Sequence, residues 1–113
     1  MSEMDIVVSN FFKFDIRIGT IEEATVFEKA RKPAYILKIN FGELGYKKSS
    51  ARITHYYSPV DLVGQQVIAV VNLPPLQVAN IRSEVFVLGV MEENDHVVLI
   101  QPGQKVENGL KIG

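Results

Sequence analysis

The stretch Asn72-Leu-Pro-Pro-Leu-Gln-Val-Ala-Asn-Ile-Arg-Ser-Glu-Val-Phe-Val-Leu-Gly-Val90 decides how this chain is read. A strongly apolar run over 67–71 stops at Asn72 and two prolines. A second, over 85–90, starts directly after Ser83-Glu84. Short apolar runs bounded by turn residues read as buried strands. Two such strands therefore flank a short connection that carries uncharged polar groups, one cation and one carboxylate.

Strand signals recur on both sides of this stretch. Phe14, Ile16 and Ile18 alternate with Asp15 and Arg17, the pattern of a half-buried strand. Gly19 interrupts it and Ile21 resumes with opposite parity, which predicts a bulge or sharp bend. Such bends suit the long first strand of a small closed barrel. Tyr35, Leu37, Ile39 and Phe41 alternate with Ile36, Lys38 and Asn40, and Gly42-Glu-Leu-Gly45 reads as the hairpin turn into a third strand over 46–53. Ser58-Pro-Val-Asp-Leu-Val-Gly64 has a capping serine, a proline at the first helical position and a terminating glycine, which predicts one or two helical turns. A last strand is expected over 96–100, and a short amphipathic helix over 5–12. The sum is an all-β chain with small α additions: a five-stranded Greek-key barrel of the OB type, with a short helix after the third strand and an N-terminal helical segment.

The chain has 113 residues and is expected to form one domain over 1–113. It has no cysteine, so disulfide and thiolate chemistry are excluded, and zinc spacing is missing. No run of about 18 apolar residues could span a bilayer. Met1-Ser-Glu-Met-Asp5 does not read as a secretory signal, so the cytoplasm is expected. The net charge is −1, but residues 29–52 hold seven cations against the single acid Glu43, a local net of +6. A basic window on an acidic background points to a defined anion-facing surface.

The segments 30–43 and 72–90 together resemble the tRNA-binding domain found beside some aminoacyl-tRNA synthetases. Asn72-Leu73 and Ser83-Glu84 carry that resemblance. Lys32-Pro-Ala-Tyr35 and Ser83-Glu-Val-Phe-Val-Leu-Gly89 are most similar to its CsaA-type members, described as export-related chaperones. Two departures from the synthetase-type pattern, Val85-Phe86 and Ser49-Ser50-Ala51, point the same way and leave room for an apolar pocket suited to peptides. The resemblance implies an OB fold, a homodimer, and binding of tRNA and of unfolded or presecretory polypeptides. It implies no cofactor and no covalent chemistry. A dedicated tRNA-binding protein assisting a synthetase, and a small enzyme, stay open as alternatives.

The candidate binding residues follow. Arg31, Lys32, Lys48 and Arg52 can neutralise phosphates. Lys48, Ser50 and Arg52 share the outward face of one strand by parity, while Ser49, Ala51 and Ile53 share the inward face. Asn72, Gln77, Ser83 and Glu84 can read base edges or polypeptide amides, or else satisfy turns. Asn72 and Ser83 are expected close together on one rim, with Glu84 beside a cation such as Arg82. Tyr35, Phe41, Tyr46, Tyr56, Tyr57 and Phe86 are candidate stacking platforms, with Phe41 and Phe86 expected in the core. His55 and His96 are far apart in sequence and read as unconnected. The apolar residues near both ends, Ile6, Val7, Phe11 and Phe12 with Val106, Leu110 and Ile112, are expected at a dimer interface.

Overall fold

A computed structural model describes residues 6–113. Its spine is the long strand β1 (Ile16–Val26), which serves two neighbours in turn. The first half, from Ile16 to Thr20, pairs antiparallel with β4 (Gln66–Val70). From Thr20 onward it pairs with β2 (Tyr35–Asn40). A register shift between Ile21 and Glu23 marks the bend. The break in alternation after Ile18 thus does mark a bulge, but the bulge sits just beyond Gly19. Gly19 serves close packing instead: a Cβ there would lie 2.6 Å from Ile39 Cγ2 and 2.7 Å from Phe41 Cε1.

A 3-10 turn over Gly42–Leu44 joins β2 to β3 (Tyr46–Ala51). The helix α2 (Pro59–Leu62) follows the third strand, as its serine, proline and glycine signals predict. Leu62 is its buried residue. The main sheet runs β3-β2-β1-β4-β7, with β7 over Phe86–Val87. Its two ends approach each other to make a nearly closed, OB-like barrel. The core is a tight set of branched and aromatic side chains: Ile21, Leu37, Ile39, Phe41, Leu62 and Val67 are fully buried.

Three expectations need correction. The N-terminal helix α1 covers only Val8–Phe11, with no side-chain cap and no buried residue. Consecutive valines are weak helix formers, and no packing compensates. Position 5 lies outside the described residues. Phe14 is exposed, and the first strand begins only at Ile16. The segment over 85–90 is not one strand. It divides into β7, paired with β4, and β8 (Gly89–Met91), paired with β9 (Val97–Leu99). Leu88 is the corner: its N–H donates to Ile68 O (2.8 Å) and its carbonyl accepts from Ile100 N (3.3 Å).

The connection after β4 also holds more structure than two prolines suggest. It contains a hairpin of β5 (Leu76–Val78) and β6 (Ile81–Ser83). A satellite cluster of Phe27, Ala34 and Ile81 seats that hairpin against the loop after β1. The C-terminal tail runs beside β1. Gly109 N donates to Ile18 O (2.7 Å), and Ile112 N donates to Ile16 O (2.8 Å). The buried Gln66 side chain pins it further, donating to Val106 O (2.7 Å) and accepting from Val106 N (3.0 Å). No helix among the described residues is long and apolar enough to cross a membrane.

Gly19→Ala should destabilise the barrel by about 1–3 kcal/mol, because Ile39 and Phe41 are too enclosed to yield. Urea unfolding checks this; an unchanged midpoint would show that the close approach is not tight.

Candidate functional site

The side chains of Ser83 and Glu84 have a task that is visible only in three dimensions. β3 is an end strand of the sheet, so one row of its backbone groups lacks a ladder partner. Ser50 N donates to Ser83 Oγ (3.0 Å), and Lys48 N donates to Glu84 Oε1 (2.9 Å). Glu84 N returns a bond to Lys48 O (2.8 Å). The buried Ser49 hydroxyl donates to Val85 O (3.2 Å). Side chains thus stand in for a neighbouring strand and close the barrel between β3 and the β6–β7 junction. The expected cation beside Glu84 is replaced by a backbone amide, which satisfies a carboxylate equally well.

Asn72 works at another seam. Its Oδ1 accepts from Asp15 N (2.9 Å) and its Nδ2 donates to Lys13 O (2.8 Å), tying the end of β4 to the segment before β1. Asn72 and Ser83 are therefore each engaged by different backbone. Gln77 Nε2 donates to Ala79 O (2.9 Å) inside the β5–β6 turn.

The β3 parity reading holds. Ser49, Ala51 and Ile53 are buried, while Lys48 and Arg52 are exposed. Ser50, Arg52, Ser83 and Glu84 come together along the wall of a cavity of about 700 Å³. Most of that wall is apolar, with Leu73, Pro74, Leu76, Phe86 and Met91 among its residues. Phe86, expected in the core, is 58% exposed, and Leu76 and Met91 are 66% and 67% exposed. The corner at Leu88 accounts for this: β7 and β8 belong to different sheets, so a continuous apolar run faces more than one way.

Arg52 also lines a second cleft, of about 410 Å³, with Lys32, His55 and His96. Lys48 lies on the open face of β3, and Arg31 is exposed in the loop before β2. Lys38, by contrast, is engaged, 3.3 Å from Glu23 and over the Tyr46 ring. Of the aromatic candidates, Phe41 and Tyr35 are core, and Tyr35 donates to Tyr57 O (2.6 Å). Tyr57 offers no platform either; its hydroxyl accepts from Leu99 N (2.9 Å).

Sequence reasoning missed the histidines. The His55 and His96 rings stack with centroids 3.4 Å apart and planes 9° from parallel. Tyr56 meets both rings edge-on and donates its hydroxyl to Glu92. That hydrogen bond, then loss of solvent, then the carboxylate charge hold the Tyr56 phenol above the ordinary tyrosine range. No spacing rule joins two residues brought together by the return of β9 past the end of β3.

Removing the Glu84 oxygen leaves the Lys48 amide without its acceptor. Glu84→Ala should cost about 1–3 kcal/mol, while Glu84→Gln, which keeps an oxygen in place, should stay near the parent. Thermal unfolding of the two variants checks this. Equal losses would show that the carboxylate charge, and not the acceptor, matters.

The comparisons with known proteins agree with this architecture. The chaperone CsaA from Bacillus anthracis str. Ames superposes with a TM-score of 0.93 at 51% identity, covering 96% of this chain and 99% of that one. The CsaA chaperone protein from Picrophilus torridus gives 0.90 at 49% identity, covering 96% and 100%. Methionine–tRNA ligase from Porphyromonas gingivalis (strain ATCC 33277) is 33% identical over 109 residues, which is 96% of this chain. The chain spans only 16% of that ligase's length. Residues 16–111 match the family model described as "Putative tRNA binding domain", and with the full-length likeness to the CsaA chaperones this establishes that the chain belongs to the tRNA-binding-domain family.

Proposed function

We propose that residues 1–113 act as one CsaA-like binding domain that holds segments of unfolded or export-bound polypeptide and also binds tRNA. The observation that carries the polypeptide half is the groove bounded by β3, the β5–β6 hairpin and β7–β8. Its volume of about 700 Å³ accommodates several side chains. The walls present large apolar groups to solvent, and such a patch marks a binding surface. Polar groups at its rim are largely committed to closing the barrel, so recognition rests on apolar contact and suits many sequences.

The tRNA half rests on family membership and on the cations of the basic window. Lys48 and Arg52 project from β3 and its end, with Arg31 and Lys32 in the adjacent loop. Among the described residues none of these four is in an ion pair, so each is available to a phosphate. The work is binding without covalent chemistry, performed in the cytoplasm. The homodimer reading is supported by the exposed Ile6, Val7, Phe11, Phe12 and Leu110, which lie on the N-terminal segment and on the tail that runs beside β1. Val106 and Ile112 are half-buried and anchor that tail.

Two sets of variants separate the halves. Leu76→Ser with Phe86→Ser should weaken binding of an extended apolar peptide about tenfold or more and leave tRNA binding intact. Lys48→Glu and Arg52→Glu should weaken tRNA binding, and the log–log salt slope should flatten by about one unit for every phosphate that no longer meets its cation. Peptide affinity that ignores the groove changes would overturn the polypeptide reading; an unchanged salt slope would overturn the tRNA reading. Analytical ultracentrifugation tests the dimer: a monomer at micromolar concentration removes it.

A further inference from the structure

We propose that the cleft between Lys32, Arg52, His55 and His96 is a phosphate-binding site whose hold on an RNA backbone phosphate strengthens as its imidazoles gain protons. The inference rests on the tRNA reading above, but it assigns a built site to Lys32 and Arg52 and a control to two histidines which that reading does not use. The loop before β2 delivers Lys32 and the end of β3 delivers Arg52 to one cleft of about 410 Å³. Two further residues of its lining, His55 and His96, are stacked face to face at 3.4 Å. The turn that brings in His96 passes through Asn94 and Asp95, both at positive φ, and both also line the cleft.

The charges define the ligand. Lys32 and Arg52 supply the two basic side chains of the lining. Asp95 supplies the one carboxylate in the lining. With neutral imidazoles the cleft therefore carries only a small excess of positive charge, and Asp95 opposes an incoming anion. Other groups at the stack do not compensate. The Glu92 hydrogen bond raises the Tyr56 phenol, which adds no positive charge, and the Glu92 carboxylate adds a negative one beside the stack. Imidazole is the side chain that changes charge between about pH 5 and 8.

Face-to-face stacking at van der Waals distance suits two rings of which at most one is charged. Two cationic rings at that distance repel, and an anion seated between them and the Lys32 and Arg52 heads relieves the repulsion. A phosphate is the matching group: it is small and tetrahedral, and its oxygens accept charge-assisted hydrogen bonds from several directions at once. The sign follows from linkage. An anion that favours the protonated rings is bound more tightly at lower pH, and that gain disappears as pH rises through the range in which the occupied site releases its protons.

The test uses the intact protein and two probes. Bulk tRNA binding is measured at about pH 6 and about pH 8 at constant ionic strength. The parent should bind about tenfold more tightly at the lower pH, the effect of one pKa unit of coupling. The double variant His55→Gln/His96→Gln should lose that gain; a gain that survives in it overturns the proposal. Separately, inorganic sulfate, whose charge is constant in this range, is titrated while the imidazole C–H resonances are followed by NMR. Sulfate should move the His55 and His96 titrations to higher pH, and Lys32→Ala/Arg52→Ala should abolish the movement. Should tRNA bind neither protein at either pH, the tRNA reading fails by itself, and the sulfate titration still decides whether the cleft is an anion site: imidazoles that ignore sulfate overturn it. Sulfate that moves the imidazoles while the variants keep the tRNA pH gain would mean a site for small free anions only, and would overturn the assignment to RNA.

Discussion

Everything around the candidate surfaces depends on how the exposed edge of β3 is satisfied. A sheet of five strands that curls into a barrel must bring its two ends together, and backbone groups left unpaired there would be expensive to bury. Here no ladder forms between the two end strands, β3 and β7. Ser83 Oγ and Glu84 Oε1 accept from the Ser50 and Lys48 amides in its place. This side-chain seam closes the barrel and also fixes where the chain goes next. The hairpin before it leans on Phe27 and Ala34, and the strand after it turns the corner at Leu88.

The groove is a consequence of that seam. A barrel closed by a continuous ladder would bring β6 and β7 flush against β3 along their length. Closure through the Ser83 and Glu84 side chains joins β3 to the β6–β7 junction, and Leu76 of the β5–β6 hairpin and Phe86 of β7 are exposed along the same cavity. Polar residues that look like a recognition motif in the sequence thus serve the backbone, and apolar residues that look like core serve the surface. Under the proposed function, a groove built this way would gain affinity from contact area and little from directional bonding, which would suit many polypeptide sequences better than one.

Electrostatics divide the molecule in a similar manner. The basic window is not uniformly available: Lys38 is drawn to Glu23 and to the face of Tyr46. The cations that stay open to a phosphate are those on β3 and its neighbouring loop. Arg52 stands at the border of both cavities, so the apolar groove and the basic cleft meet at one side chain. Ligands held in the two places would lie next to each other on the same side of the barrel.

Much of this was legible from residue order alone. The alternation over 35–41, the opposite parities of Lys48 and Ser49, the capped helical turn at 58–64 and the phase change after Ile18 all report local rules, which hold wherever the chain folds. The resemblance at 30–43 and 72–90 pointed to the family. What the order of residues could not convey was which face a continuous apolar run presents, because periodicity vanishes when every residue is apolar; the exposure of Phe86 and the corner at Leu88 follow from sheet switching. Nor could it show that Ser83, Glu84 and Asn72 answer to backbone amides and carbonyls, or that His55 and His96 lie ring on ring. Those facts depend on contacts between segments distant in the chain, and only the closure of the barrel brings such segments to hydrogen-bonding range.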